Sequence, residues 1–259
     1  MSQLLETRYL AAIRLKRDEV PDFSAYPFCI PALNGLKRLE FHPAVTFLVG
    51  ENGAGKSTLL EALAIKVGFN PEGGGRNFGF ETRASHSDLY KFLVPERSVI
   101  RPRDGYFVRG ESFYNLATEI DNLGVGYYTT PLLAAHSGGS LHEQSHGESF
   151  FSLLMNRFGG NGLYLFDEPE AALSPSRQMS MLTLIHELVR QKSQLIIATH
   201  SPILLAYPDS WIYQLSETGI KRVKYVETEP YVVTRDFLTR HEMMLKTLLE
   251  ENPELPLND

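Results

Sequence analysis

The chain has 259 residues, 43% hydrophobic and 22% charged, and its 25 basic and 31 acidic residues give a formal net charge of −6, which argues against coating nucleic acid through bulk charge. This length suits one large α/β domain over residues 1–259, with enough core to need no disulfide staples. The single cysteine, Cys29, excludes an internal disulfide and a cysteine-built zinc site, and it suits a reducing compartment. The sequence contains no apolar run typical of a signal peptide or of a membrane-spanning helix, which predicts a cytoplasmic protein without an integral membrane segment.

The first part of the chain predicts short strands and then a strand–helix pair. Residues Tyr9–Phe41 mix short apolar runs with three prolines, which indicates short antiparallel strands joined by turns. A buried strand over Val45–Val49 ends at a glycine, and a helix begins at Lys56 with apolar residues along one face. Residues 68–105 predict an irregular, loop-rich stretch with one short helix near Asp88–Leu93.

The rest of the chain alternates strands with helices. The expected elements are a strand over Gly105–Arg109, helices over Ser112–Asp121 and Glu148–Phe158, a strand over Gly162–Phe166, a helix over Pro175–Lys192, a strand over Gln194–Ala198, a hairpin over Trp211–Val226 and a helix over about Thr234–Glu251. About 65–160 is interpreted as an insertion with a small helical lobe, and 211–259 as a C-terminal hairpin and helix. The alternation predicts an α/β fold with a mostly parallel central sheet flanked by helices and an N-terminal antiparallel β element.

A glycine-rich loop joins the first buried strand to the first long helix. Its residues fit the pattern G-x-x-x-x-G-K-[ST] in full: Gly50, Glu51, Asn52, Gly53, Ala54, Gly55, Lys56 and Ser57, followed by Thr58. The glycines allow backbone N–H groups to turn toward an anion, and the helix N-terminus adds its positive dipole end. Lys56 would reach the β- and γ-phosphates of ATP, and Ser57 would ligate Mg²⁺. The strand–loop–helix context favours a phosphate-binding loop over an ordinary turn.

Two further strands end in groups suited to phosphate chemistry. The strand Gly162–Phe166 ends in Asp167-Glu168-Pro169-Glu170, a Walker B arrangement in which Asp167 would hold Mg²⁺ and Glu168 would orient or deprotonate the attacking water. The strand Gln194–Ala198 runs into His200, 33 residues after Asp167. Because ligands bind at the carboxyl ends of strands in open α/β sheets, His200 is a candidate donor to the γ-phosphate.

These motifs resemble those of the ABC-type ATPase superfamily. The segments GENGAGKST, SHGES, DEPEAALSP and ATHSP are similar to those of its stand-alone SMC/RecF-like branch. The resemblance implies a P-loop NTPase head with a small helical signature lobe, in which two heads enclose two ATPs. It also implies a D-loop at the dimer seam, formed by Ala172, Leu173 and Ser174, and a serine/glycine signature that acts on the partner's ATP.

Two segments are candidates for the signature. Ser137–Ser140 looks more like the transporter sequence LSGGQ, but a helix of ~12 residues, a loop and a ~5-residue strand need about 22 residues before the Walker B aspartate. Ser145 lies 22 residues before Asp167, whereas Ser137 lies 30 before it. We therefore assign the signature to Ser145, His146, Gly147 and Glu148.

Two expected family features lack a clear match. The glutamine of the Q-loop is missing, and Arg109 or Glu111 is the candidate replacement. The aromatic residue that stacks on adenine is left open between Tyr26, Phe28 and Phe41, each of which also suits the core.

Residues 142–146 match the zinc-protease pattern H-E-x-x-H. That chemistry requires both histidines on one face of a continuous helix. Glycines stand just before and just after the segment, and a zinc site is disfavoured.

Three functions fit an ATPase head of this length. The first is an ATP-switched homodimer that controls a protein partner or nucleic acid, in a role of the DNA repair or anti-phage type. The second is the nucleotide-binding subunit of a membrane transporter, which the missing Q-loop glutamine and the unusual signature disfavour. The third is an ATP-holding module, which would need neither Glu168 nor His200. Four arginines form either a basic patch for nucleic acid or a scattered surface: Arg97, Arg101, Arg103 and Arg109.

Overall fold

The computed structural model describes residues 8–71, 73–75, 87–110 and 158–249, which form two β-sheets and the helices packed on them. The elements are β1 (Leu10–Leu15), α1 (Pro31–Asn34), β2 (Arg38–Glu40), β3 (Val45–Val49), α2 (Lys56–Val67), β4 (Gly74–Gly75), α3 (Leu89–Phe92), β5 (Leu93–Arg97), β6 (Asp104–Arg109), β7 (Gly162–Asp167), α4 (Pro175–Arg190), β8 (Gln194–Ala198), α5 (Pro202–Leu205), β9 (Ser210–Ser216), β10 (Gly219–Val223) and α6 (Glu229–Leu249).

The larger sheet has the strand order β10-β9-β3-β8-β7-β6-β4. Its five central strands, from β9 to β6, are parallel, and each edge strand is antiparallel to its neighbour. The predicted mostly parallel sheet is confirmed. Since parallel strands point the same way, the carboxyl ends of five strands meet at one edge of the sheet.

Both faces of this sheet are buried, and successive side chains alternate between two cores. In β7, Leu165 packs with α2 on one face, whereas Tyr164 and Phe166 pack with α4 on the other. The same alternation holds in β8, where Ile196 faces the first core and Ile197 the second. A strand covered on both faces carries a continuous apolar run, which explains why these strands stand out in the sequence.

The smaller sheet is the N-terminal antiparallel element, with order β2-β1-β5. Its existence is confirmed, but the prediction of irregular structure over 68–105 is wrong at β5. This strand contains Pro95 and two charged residues, so it lacks an apolar alternation. Because β5 lies at the sheet edge, its proline is tolerated there. Together with β6 it also shows that the interval 65–160 contributes strands to both sheets.

Two helices begin at a serine whose side chain caps them. Ser174 accepts from the backbone N–H of Arg177 at the start of α4, and Ser201 caps α5 in the same way, each followed by proline. The β9–β10 hairpin is confirmed. Helix α6 starts at Glu229, earlier than the predicted Thr234, because Pro230 is compatible with a first helical turn. The predicted helices over Ser112–Asp121 and Glu148–Phe158 fall in 111–157, outside the described residues, apart from Phe158.

Within the described ranges, none of the helices combines the length and the apolar character required to cross a bilayer.

A buried glutamine ties the two sheets together. Gln194, at the start of β8, accepts from the backbone N–H groups of Tyr9 (3.0 Å) and Leu10 (2.9 Å) and donates to the carbonyls of Leu10 (2.8 Å) and His42 (2.9 Å). All four hydrogen bonds of the amide are made inside the core. The amide therefore fixes β1 against the main sheet.

Gln194→Leu is expected to lower the free energy of unfolding by at least about 3 kcal/mol, because it leaves several buried backbone groups without a partner. Urea denaturation of both proteins measures the difference. Gln191→Leu, which removes an amide bonded to Glu187 at the end of α4, is the control and should cost under about 1 kcal/mol. Equal losses for the two variants would contradict the assigned role of Gln194.

Candidate functional site

The predicted site residues lie at the carboxyl edge of the main sheet. Strand β3 leads into the glycine-rich loop, β7 ends at Asp167, and β8, between them, leads to His200. The register places Ala198 opposite both Leu48 and Asp167, so the three strands end at nearly the same level. The topology thus brings together groups that are far apart in sequence.

Two positions in the loop require glycine. A Cβ atom on Gly50 would collide with the carbonyl oxygen of Leu215 in β9. Gly55 has a φ of 95°, and a Cβ atom there would lie 3.1 Å from Ile30. The loop is therefore packed between β9 and the segment that leads into α1, a curvature that suits the backbone to wrap around an anion.

Lys56 is buried, with 4% of its surface exposed. Its ammonium donates to the carbonyls of Gly50 (2.8 Å) and Glu51 (3.1 Å), and its Nζ lies 3.9 Å from Glu168 Oε1. Burial lowers the pKa of Lys56, while the carboxylates of Glu168, Asp167 and Glu170 oppose that change. The loop thus holds a cation that gains from an anionic ligand.

Ser57 and Asp167 meet next to this lysine. The Ser57 hydroxyl donates to Asp167 Oδ1 at 2.9 Å, although the two residues are 110 apart in sequence. Burial raises the pKa of Asp167 to about 6, against the opposing effects of the Ser57 hydrogen bond and of Arg109. One hydroxyl and one carboxylate form a hard-oxygen donor pair that fits Mg²⁺, which binds proteins through few side chains when phosphates complete its shell. No cluster of three or more metal-binding side chains is found among the described residues.

Glu168 is held in a strained backbone conformation. Its φ of 50° and ψ of 52° lie in the left-handed region, which costs a residue with a side chain about 1–2 kcal/mol. Its backbone N–H donates to the carbonyl of Ala198 (2.9 Å), and its Oε1 lies 3.4 Å from His200 Nε2. Such strain is concentrated at functional sites, where neighbouring structure enforces it.

His200 is connected to the turn after β7 by a contact that sequence reasoning missed. Its backbone N–H donates to Glu170 Oε1 at 2.5 Å. The DEPE motif contains this glutamate, but only the short 3₁₀ turn over Pro169–Ala172 directs it toward β8. Strand β8 therefore delivers a histidine whose backbone and ring are both close to carboxylates of the neighbouring turn.

The structure distinguishes the three aromatic candidates. Phe28 and Phe41 are core residues with 4% and 1% exposure, whereas Tyr26 is 65% exposed. The Tyr26 hydroxyl lies 3.4 Å from Thr58 Oγ1, at the start of α2. Of these three, Tyr26 is the one with a ring free to stack on a base beside the phosphate-binding loop.

The remaining predicted residues are placed as follows. Arg109 ends β6 in register with Asp167, and its guanidinium lies 3.3 Å from Glu61 Oε2 on α2. Leu173 is a core residue and Ser174 caps α4, so the candidate D-loop leaves the site toward that helix. Glu111 and the H-E-x-x-H segment lie outside the described residues. The four candidate signature residues lie outside them as well: Ser145, His146, Gly147 and Glu148.

The four arginines do not form one basic patch. Arg103 precedes β6 and Arg109 ends it, which separates them by about 20 Å along an extended strand. Arg109 lies at the carboxyl edge, near the candidate site, and Arg103 at the opposite edge, where its N–H donates to Asn161. This separation supports the scattered surface for Arg103 and Arg109, and a patch formed by the other arginines stays a prediction.

Two clefts flank the glycine-rich loop. One, of about 510 Å³, lies between Gly50, Glu51, His200 and the first turns of α6. The other, of about 560 Å³, lies between the outer side of the loop, α1 and the β9–β10 turn. Both have the volume of a small-molecule site.

Comparisons with known proteins agree with this geometry. One family model, described as an AAA domain, matches residues 28–100, and another, described as an AAA ATPase domain, matches 113–205, together more than half of the chain. An uncharacterized ABC transporter ATP-binding protein of Haemophilus influenzae is 30% identical over 62% of this chain and 65% of its own length. By these matches the chain is similar to AAA-type and ABC-type P-loop ATPases. An energy-coupling factor transporter ATP-binding protein of Methanospirillum hungatei is 24% identical over 89% of the ATPase and 60% of its own length.

The chain thus spans less than two thirds of the length of these two relatives. Among solved structures, the SMC head domain from Thermotoga maritima aligns with a TM-score of 0.46 and 18% identity, over 83% of this ATPase and 99% of that chain.

The raised pKa of Asp167 predicts that the free energy of unfolding depends on pH in the absence of Mg²⁺ and nucleotide. Because the folded protein holds this proton more tightly than the unfolded chain, the contribution of Asp167 to stability falls as pH rises from about 4 to about 6. Asp167→Asn keeps an acceptor for Ser57 but carries no charge. Its stability advantage over the wild type should be about 1–2 kcal/mol larger at pH 8 than at pH 5. Urea denaturation in EDTA at both pH values tests this, and a pH-independent difference would contradict it.

Proposed function

We propose that this ATPase binds Mg·ATP at the carboxyl edge of the main sheet and hydrolyses it, as a single domain over residues 1–259. The observation that carries this proposal is the convergence of Lys56, Ser57, Asp167, Glu168 and His200 from three adjacent strand ends. A site that only held ATP would need the loop and the lysine. The strained glutamate and the histidine beside it are additional groups, and they are suited to hydrolysis.

Each side chain has a role in this proposal. Lys56 leaves its loop carbonyls to bridge the β- and γ-phosphates, where its charge is better compensated. Glu168 orients a water molecule and accepts its proton at Oε1. His200 donates from Nε2 to the γ-phosphate and stabilises its developing charge. Backbone N–H groups over Gly53–Ser57 bind the phosphate oxygens.

Ser57 and Asp167 would hold the magnesium ion. When bound, Mg²⁺ would neutralise part of the negative charge of the phosphates. The ionised form of Asp167 would be the metal ligand.

We further propose that two copies close head to tail around two ATPs. The cleft beside Gly50 and His200, bounded by the first turns of α6, would leave one side of a bound γ-phosphate to a second protein surface. The partner's signature, formed by Ser145, His146, Gly147 and Glu148, would fill that side, with Ala172, Leu173 and Ser174 at the seam. Bringing the partner copy into contact with the nucleotide couples ATP binding to dimerisation.

Ser145→Arg tests the signature assignment. A bulky cation at this position should block contact with the partner's nucleotide, so ATP affinity should stay within about threefold while turnover falls by about 10²-fold or more. Ser137→Arg, in the alternative segment, is the control and should hydrolyse ATP like the wild type. Isothermal titration and a phosphate-release assay provide the two measurements. If the two variants exchange these phenotypes, the signature lies at Ser137.

The ATP state would control another molecule, and two kinds of partner are candidates. The first is a protein or nucleic acid, in a role of the DNA repair or anti-phage type. Arg103 and Arg109 lie at opposite ends of β6, so these two arginines do not together form a basic patch that would support nucleic-acid binding. We therefore favour a protein partner. The free, exposed thiol of Cys29 supports a reducing compartment such as the cytoplasm.

The second candidate is a membrane transporter, with this chain as its nucleotide-binding subunit. The names of the relatives favour it, since several are transporter ATP-binding proteins. Capture from detergent-solubilised cells with tagged Glu168→Gln and ATP distinguishes the two. Recovery of an integral membrane protein in stoichiometric amount supports the transporter subunit. Recovery of a soluble protein instead supports an ATP-controlled dimer that acts on a protein partner.

A further inference from the structure

Glu170 accepts a hydrogen bond from the backbone N–H of His200, although the two residues follow different, neighbouring strands. It lies in the 3₁₀ turn after β7, whereas His200 follows β8, 30 residues later. The backbone nitrogen of His200 lies 2.5 Å from Glu170 Oε1, in a hydrogen bond from an N–H group to a carboxylate. Within the part of the chain that the structure describes, the other carboxylate oxygen, Oε2, is buried and has no hydrogen-bond partner. Leaving a buried carboxylate oxygen unpaired has a cost, so the bond to His200 is the hydrogen bond that this carboxylate makes among the described residues.

The bond from His200 to Glu170 is the second of three hydrogen bonds made by consecutive backbone N–H groups, and together they fix the chain on both sides of the histidine. The Thr199 N–H donates to the carbonyl of Leu48 (3.1 Å), and the Ser201 N–H donates to Thr199 Oγ1 (3.0 Å). Between them, the His200 N–H points away from β3 and toward the turn after β7. Without Glu170, the position of His200 along this path would depend on its neighbours alone.

Two carboxylates in one turn therefore lie beside two parts of the same histidine. Glu170 accepts a hydrogen bond from the backbone nitrogen, and Glu168 Oε1 lies 3.4 Å from the ring nitrogen Nε2, which has no hydrogen-bond partner among the described residues. The Glu170 charge also attracts the ammonium of Lys56. Any movement of the turn after β7 is thereby transmitted to His200.

We propose that Glu170 is a positioning residue that keeps His200 in register with Glu168 during ATP hydrolysis. This inference rests on the proposed function. Displacement of a catalytic group by about 1 Å can lower a rate by about 10²-fold. The affinity for ATP should depend less on the position of His200, because in the proposed function the glycine-rich loop and Lys56 supply most contacts to the phosphates.

The test compares Glu170→Ala with Glu170→Gln, which keeps an oxygen acceptor, and with Glu19→Ala, which removes an exposed carboxylate paired with Lys16. We expect Glu170→Ala to lower kcat about 10- to 100-fold with KM for ATP changed less than about twofold. Glu170→Gln should recover kcat to within about fivefold of the wild type, and Glu19→Ala should match it. An unchanged kcat for Glu170→Ala, or equal losses in the alanine and glutamine variants, overturns the proposal.

A second readout does not require turnover. Amide hydrogen exchange at His200 should speed up at least about tenfold in Glu170→Ala and stay near the wild-type rate in Glu170→Gln. Unchanged exchange in the alanine variant overturns the proposal even if the wild type hydrolyses ATP. Accelerated exchange with an inactive wild type supports the contact and rejects the proposed function instead.

Discussion

Lys56→Ala is expected to lower the affinity for ATP by about 10²-fold or more, equivalent to about 3 kcal/mol. The wild-type ammonium is buried and bonded to two loop carbonyls, which in the proposed function it exchanges for the β- and γ-phosphates. Removing it leaves the phosphate charge facing backbone N–H groups alone. Because Lys56 also starts α2, melting temperatures are measured alongside to confirm that the variant is folded. Isothermal titration with ATP measures the effect.

Lys66→Ala is the matched control, since it removes a lysine from the last turn of the same helix. We expect its ATP affinity to stay within about twofold of the wild type. An unchanged affinity in Lys56→Ala would refute the assignment of Gly50–Ser57 as the phosphate-binding loop.

Glu168→Gln is expected to lower kcat by about 10²–10⁴-fold while ATP affinity changes less than about threefold. The amide has nearly the same shape as the carboxylate and can still orient water, but it cannot accept the proton. Steady-state phosphate release and titration of ATP measure the two quantities. The control is Glu187→Gln on α4, whose wild-type carboxylate bonds Arg190 and Gln191 of the same helix.

Full activity in Glu168→Gln would mean that another group activates the water. Loss of ATP affinity in step with turnover would mean that Glu168 serves binding, and the hydrolytic role would be rejected.

The strands that form the site were predictable because each is an apolar run that ends in a polar motif. Strands β3, β7 and β8 are covered on both faces, so their sequences differ sharply from the surrounding chain. Strand β5 lacks that signal, because an edge strand tolerates Pro95 and the charges beside it. Gln194 shows another limit, since its partners lie about 150 to 185 residues away and no local pattern indicates them.

The position of a candidate site residue was predictable where a motif follows directly on a strand, as for Lys56 and Asp167. Contacts that depend on the path of the chain were not. The bond from His200 to Glu170 requires the turn after β7 to lie against the end of β8, and the choice of Tyr26 required the burial of Phe28 and Phe41. The separation of Arg103 from Arg109 depends on the same kind of information, because the two residues lie at opposite ends of β6.

We propose that ATP joins two copies of this chain through the carboxyl edge of the sheet. The decisive measurement is sedimentation of Glu168→Gln, with saturating Mg·ATP and without nucleotide. We predict a dimer with ATP that reverts to a monomer when nucleotide is withheld or when Ser145→Arg is added. A sedimentation coefficient that stays monomeric at saturating ATP would contradict the account.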